Sequence, residues 1–268
     1  MQRTNTLDHP SLPPAGPRLN ARTLFLPLSL LGGLLAWVLL AKFSWLPDFI
    51  LPGPDQVALR FWQGLADGTL PRHAAATLLE VALGLAAGSF CATVLGYAIA
   101  RSQTLERLLS PYLVASQAVP IVAIAPLLVI WFGPGLFSKV LICALIVFFP
   151  VLVNTAVGLR AVPQNLRDLM RSMHATRGQI LRHLEIPAAL PVFLAGLRVG
   201  ATLSVIGAVV GEFVSAERGL GFLINVARGQ FDTPLVFASV LTLIAMALLL
   251  YGLVLLAEHR FLRWQNRN

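Results

Sequence analysis

Six stretches of the chain read as nearly unbroken apolar runs, at residues 23–43, 74–100, 108–131, 136–157, 188–213 and 235–257. A helix needs about 20 residues to cross the hydrocarbon core of a bilayer, and each run is close to that length or longer. The pattern predicts an all-α, polytopic membrane protein with about six transmembrane helices. An even number of crossings places both ends of the chain on one side. The third run is opened by Pro111 and carries Pro120 and Pro126. Proline removes a backbone donor and kinks a helix, and in a membrane the freed carbonyls need a protein or water partner. That run is expected to face the inside of the bundle, as a pathway element or as a packed kink.

The polar stretches between the runs are unequal. PDQVALRFWQGLADG follows the first run, with Pro54 at a helix start and Val57, Phe61 and Leu65 four apart. It predicts a short interfacial helix with Trp62 as an anchor. The segment 160–187, AVPQNLRDLMRSMHATRGQILRHLEIPAALP with its flanks, is too long for a simple connector. Its first half predicts an amphipathic helix beginning at Pro163, with Leu166, Leu169, Met170 and Met173 on one face. Its second half predicts a helix capped by Thr176, with Gln179 completing a capping box. A bend falls at His174 and Ala175, and Pro187 and Pro191 mark the return to the membrane. An apolar face rich in Met and Leu either docks into a partner's groove or packs under the membrane helices.

Composition agrees with lipid as the solvent: 57% of residues are hydrophobic and 12% charged, about half the charged share of a soluble domain. The net charge of +8 is explained by basic loops, so no nucleic-acid partner is inferred. Arg3, Arg18, Arg22, Arg101, Arg107, Arg160, Arg167, Arg171, Arg177, Arg182, Arg260, Arg263 and Arg267 fall on one side of the six-span topology. Lys42, Arg60, Arg72, Lys139, Arg218 and Arg228 fall on the other. The positive-inside rule makes the first side cytoplasmic. Residues 1–22 read as a flexible cytoplasmic tail, 23–264 as the membrane domain, and the first run as a retained helix rather than a cleaved signal. Cys91 and Cys143 lie inside apolar runs and read as packing residues.

The 160–187 segment resembles the EAA motif of binding-protein-dependent ABC importer permeases: E-A-A, three residues, G, nine residues, I-x-L-P. Asp168, Leu169 and Met170 align with its start, His174 with its glycine, and Leu184, Ile186 and Pro187 with its end. LPGPDQV, AIAPLLVIWFG, SKVLICALIVFFPVLVNTAVGLR and IPAALP extend the likeness over residues 45 to 264. They resemble the branch serving nitrate, taurine, aliphatic sulfonates and thiamine-precursor pyrimidines. The resemblance implies a type I importer permease fold in a bacterial inner membrane, used as a homodimer. It implies two ATP-binding subunits below, which hold ATP and magnesium, and a periplasmic or lipid-anchored binding protein that delivers substrate. It also implies that Asp168, Leu169, Met170, Met173, His174, Ala175, Gly178, Leu184, Ile186 and Pro187 couple the chain to the ATPase. Histidine at the motif glycine is the sharpest departure. It tolerates positive φ better than most residues, so the bend is expected to survive with altered docking geometry. VIGAVVGEFVSAERGLGFLI and DTPLVFAS look most like the pyrimidine and vitamin-precursor permeases.

No catalytic, cofactor or metal site is expected on this chain. It has no G-x-x-x-x-G-K-[ST] phosphate loop and no H-E-x-x-H. A secondary transporter would need coupling-ion sites and related halves, which the sequence does not offer. Gln117, Asn154 and Glu212 are the candidate pathway residues. Glu80 and Glu212 are placed near helix ends, within reach of water, and Arg198 is expected to make a structural pair.

Overall fold

A computed structural model describes residues 21–43, 47 and 49–262. The predicted tail, apart from Ala21 and Arg22, lies outside the described residues. Every regular element among them is helical. The chain divides into two compact units, residues 1–54 and 55–268. The first contains α1 (Ala21–Phe43), at the place of the first apolar run, and the Trp37 indole donates to the Pro52 carbonyl at 3.1 Å.

The second unit opens with α2 (Pro54–Ala66), the short helix expected from its spacing. Val57 is buried and Phe61 packs on the core, while Trp62 stays exposed. Then follow α3 (Thr69–Arg101), α4 (Gln103–Ala118), α5 (Ile121–Phe132), α6 (Leu136–Arg160), α7 (Gln164–Ser172), α8 (Arg177–Ile180), a π-helical turn (Leu181–Glu185), α9 (Ile186–Val214), α10 (Leu220–Gly229) and α11 (Thr233–Phe261). Among the described residues four helices are long and apolar enough to cross a membrane: α3, α6, the α8–α9 rod and α11. Their outward faces carry Phe90, Leu248 and Leu249 in the open, as lipid-facing helices do.

The centre of the unit is the packing of α6 against α3 and α9. Without a hydrophobic drive in lipid, helices associate through close van der Waals contact, which small residues permit. A Cβ on Gly88 would come within 2.6 Å of the Ala144 carbonyl, and one on Gly207 within 2.9 Å of the Cys143 Cα. Buried Val147, Val151 and Leu152 of α6 and Ala201, Val205 and Ala208 of α9 fill the remaining space.

The third run is not one continuous helix: α4 and α5 meet at 96°, a break of the kind its prolines predict. The break is at Pro120, with Val119 extended, the conformation favoured before proline. Pro111 lies inside α4 instead of opening it, and the helix is started by the Ser102 side chain accepting from Leu105 N–H. Pro187 and Pro191 do not interrupt the helix at the end of the loop: α8, the π-turn and α9 run on as one 38-residue helix. Pro187 has no N–H for an α-helical bond. The backbone widens just before it, with Ile186 N–H reaching back five residues to the Leu181 carbonyl.

Candidate functional site

The α7–α8 loop is built by local rules. Pro163 stands at the N-cap of α7. The helix is closed by a Schellman motif: His174 N–H donates to the Arg171 carbonyl at 2.9 Å and Ala175 N–H to the Met170 carbonyl at 3.0 Å. That motif requires a left-handed residue, and His174 supplies it at φ 58°. The bend thus stands at the position where the motif has glycine. Thr176 and Gln179 then form the capping box of α8.

The apolar face of α7 is not packed under the membrane helices. Leu166 is 40% exposed, Leu169 56% and Met173 70%, with Met170 half-buried. Asp168 on the neighbouring face holds Arg171 at 3.2 Å. Ala175 is half-buried, Gly178 exposed, Leu184 half-buried and Ile186 exposed, and Pro187 lies in the first turn of α9. The residues expected to couple to the ATPase therefore run from α7 through the bend and α8 to the first turn of α9, with the apolar face of α7 open.

Residues that the sequence reading did not single out fix this loop to the bundle. Glu185, in the π-turn, is 1% exposed. Its carboxylate accepts from Arg101 of α3 at 2.5 Å and from Arg167 of α7 at 3.1 Å, while Arg167 also donates to the Leu159 carbonyl of α6 at 2.7 Å. Arg160 pairs with Glu106 and donates to the Ile99 carbonyl at 2.9 Å. The signal was present: an acid one residue before the Ile-Pro re-entry, amid arginines that had been counted only for orientation.

The opposite end carries the other buried charges. Glu80 and Glu212 are buried, at 3% and 1% exposure; Glu212 stands in the last turn of α9, near a helix end as expected, while Glu80 lies three turns inside α3. Lys139 of α6 donates to Glu80 at 2.9 Å. Glu212, Thr77 and His73 receive the first N–H groups of α10, from Gly221 at 2.5 Å, Leu220 at 2.8 Å and Gly219 at 3.0 Å. A carboxylate at a helix N-terminus satisfies orphan donors and opposes the helix dipole. Gly219 has φ 122°, and a Cβ there would strike the Glu212 carboxylate at 2.1 Å, so glycine is required on both counts. Glu80, Lys139 and Glu212 border a cavity of about 880 Å³ that also touches Arg218 and Asn225.

The other candidate positions are dispersed. Gln117 is exposed on α4, a helix with no buried residue. Asn154 of α6 donates to its own helix at the Pro150 carbonyl, 2.8 Å away. A Cβ on Gly196 of α9 would lie 2.6 Å from the Asn154 Cβ, so Asn154 sits at a tight helix contact. Arg198 pairs with Glu258 at 2.9 Å and lies over the Tyr251 ring, the structural pairing expected of it. No metal-binding cluster occurs among the described residues.

A helical bundle with several apolar spans, carrying a charged loop with an open apolar face, defines a polytopic membrane protein. Residues 84–263 match the family described as "Binding-protein-dependent transport system inner membrane component", and the chain belongs to that family. It is 48% identical over 240 residues to the riboflavin transport system permease protein RibX of Chloroflexus aurantiacus, covering 90% of each chain. It is 36% identical to the formylaminopyrimidine transport permease protein ThiX of Halalkalibacterium halodurans, over 86% of this chain and 92% of that one. It is 33% identical to the taurine transport system permease protein TauC of Escherichia coli, over 87% and 86%. Among solved structures, an amino acid ABC transporter matches with a TM-score of 0.54 at 19% identity, covering 76% of this chain and 94% of that chain, a likeness of fold. The protein is thus a multi-pass permease subunit of an ABC importer for small solutes.

Proposed function

We propose that this permease carries a flat, vitamin-class heterocycle inward, with riboflavin the leading candidate and a formylaminopyrimidine-type thiamine precursor next. The supporting observation is the 48% identity to the riboflavin permease across 240 residues, against 33% to the taurine permease. Nitrate, taurine and aliphatic sulfonates are the alternatives within the same family. The chain works as a homodimer in a bacterial inner membrane with both termini cytoplasmic. A periplasmic or lipid-anchored binding protein supplies the substrate. ATP and magnesium are held by a separate ABC subunit, into which Leu169 and Met173 dock with Asp168, Met170, His174, Ala175, Gly178, Leu184, Ile186 and Pro187 shaping the contact. Gln117, on the uncovered α4, lines the pathway at the contact with the second copy. Asn154 and Glu212 have structural tasks in this geometry, as a helix contact and as the cap of α10.

The test is growth of a riboflavin-auxotrophic host lacking its own uptake system, supplied with the permease, its binding protein and its ATPase. Rescue at limiting riboflavin, lost when the ATPase is omitted, is the expected result. Rescue by taurine or a pyrimidine precursor in matched auxotrophs, with none by riboflavin, would move the assignment to that substrate. Uptake that persists without the ATPase would replace the ATP-driven reading with secondary transport.

A further inference from the structure

Two hollows with one wall residue in common, Tyr97, lie where the α7–α8 loop joins α3, α6 and α9. One, of about 430 Å³, is almost wholly apolar, walled by Val94, Leu159, Ile186, Leu190 and Phe193 with Tyr97 at its margin. The other, of about 670 Å³, is framed by Arg101, Arg167, Arg171 and Arg177, with Glu185 the one carboxylate in its wall. Tyr97 belongs to both walls, and the Arg101 guanidinium sits 5.3 Å from the centre of its ring. The charges do not cancel. Glu185 serves Arg101 and Arg167 together. The Asp168–Arg171 pair is more than half exposed on both sides, where water screens its attraction.

An apolar groove on membrane helices, with a cluster of guanidiniums across Tyr97 from it, has the two chemistries of a lipid side by side. Basic pockets between transmembrane helices recognise anionic headgroups, and arginine binds phosphate through paired N–H donors. We propose that the two neighbouring hollows together hold one anionic phospholipid, an acyl chain along Val94, Leu190 and Phe193 and its phosphate among the four arginines, with Tyr97 between. A free phosphate would satisfy the arginines and leave the apolar groove without a role. Because Arg101 is on α3 while Arg171 and Arg177 are on the loop, the lipid ties the loop to the bundle from the membrane side. The assignment goes beyond the transport reading and depends neither on the imported solute nor on the ATPase.

The experiment uses the full chain in detergent, exchanged with vesicles of mixed phosphatidylglycerol and phosphatidylcholine, and reads retained lipid by native mass spectrometry. Phosphatidylglycerol should be retained about tenfold over phosphatidylcholine, and the Arg171→Gln/Arg177→Gln pair should abolish that preference. These substitutions leave the Glu185 bonds intact. Val94→Trp, at a position 55% exposed on the edge of the groove, should lower retention by filling it. Equal retention of the two lipids, or retention unchanged in both variants, overturns the proposal. Thermal unfolding with inorganic phosphate separates the two sources of anion. If phosphate alone stabilises as much as phosphatidylglycerol, and Val94→Trp retains lipid as the parent does, the occupant is a free anion and the lipid assignment falls.

Discussion

The two ends of the bundle handle buried charge differently. At one end, Lys139 and Glu80 are 7% and 3% exposed, and Glu212 is spent on the backbone of α10. At the other, only Glu185 is fully buried, while Arg101 and Arg167 keep side-chain exposures of 40% and 22%. In the first arrangement both partners are buried, and loss of one leaves the charge of the other uncompensated. The second is open on its cationic side, so an arginine that loses its partner can turn to water or to an anion. The first end locks helices together. The second fastens a loop whose apolar face stays exposed.

The sharpest way to break the comparison is Lys139→Met, which strands Glu80 and should cost about 3–5 kcal/mol. Thermal unfolding of the purified protein measures it. The double variant Lys139→Met/Glu80→Leu should regain most of the loss, since replacing a whole buried pair with apolar groups is often neutral. A double variant no more stable than the single one would mean that the pair does more than satisfy itself.

Glu185→Gln comes next. It should cost about 2–3 kcal/mol, less than the lysine change because both arginines can rehydrate. Limited proteolysis should show the 161–185 loop cut sooner, with the far end of the bundle protected as before. His174→Gly should stabilise by about 1 kcal/mol by relieving the left-handed strain, and His174→Val should lose at least as much. If the glycine variant leaves coupled ATPase activity at its starting level, the histidine is neutral for docking. The smallest effect on stability belongs to Leu169→Ser/Met173→Ser. The midpoint should move by no more than about 0.5 kcal/mol, as for ordinary surface changes. Co-purification with the ATPase should be lost in the same variant, and a retained ATPase would remove the apolar face from the docking proposal.

The sequence disclosed what local rules decide. Apolar run length located the spans, and Thr176 with Gln179 located the start of α8 because a capping box is a three-residue affair. It did not disclose which of three prolines would break the third run. The rule before proline applies to all three, and the choice is made by packing: Ala125 and Leu128 fasten α5 against Ile142 of α6, while α4 has no buried residue to hold it in line. The burial of Glu80 was hidden for a similar reason. It depends on Gly84 and Gly88 letting α6 approach closely enough for Lys139 to reach across. Helix α10 was missed because it is short, and because its cap comes from α3 and α9 instead of from its own flanking residues.

The continuity of α8, the π-turn and α9 has a mechanical consequence. A 38-residue helix is on the order of 57 Å long, and Glu185 and Glu212 are both mounted on it. A tilt imposed at the Thr176 cap swings the far tip, where Glu212 grips α10, through an arc set by where the rod pivots. The tight contacts of Gly196 and Gly207 with α6 are the natural fulcrum. The two rims of the bundle are thus linked by one continuous helix, whose π-turn and Pro187 are the points where it can flex.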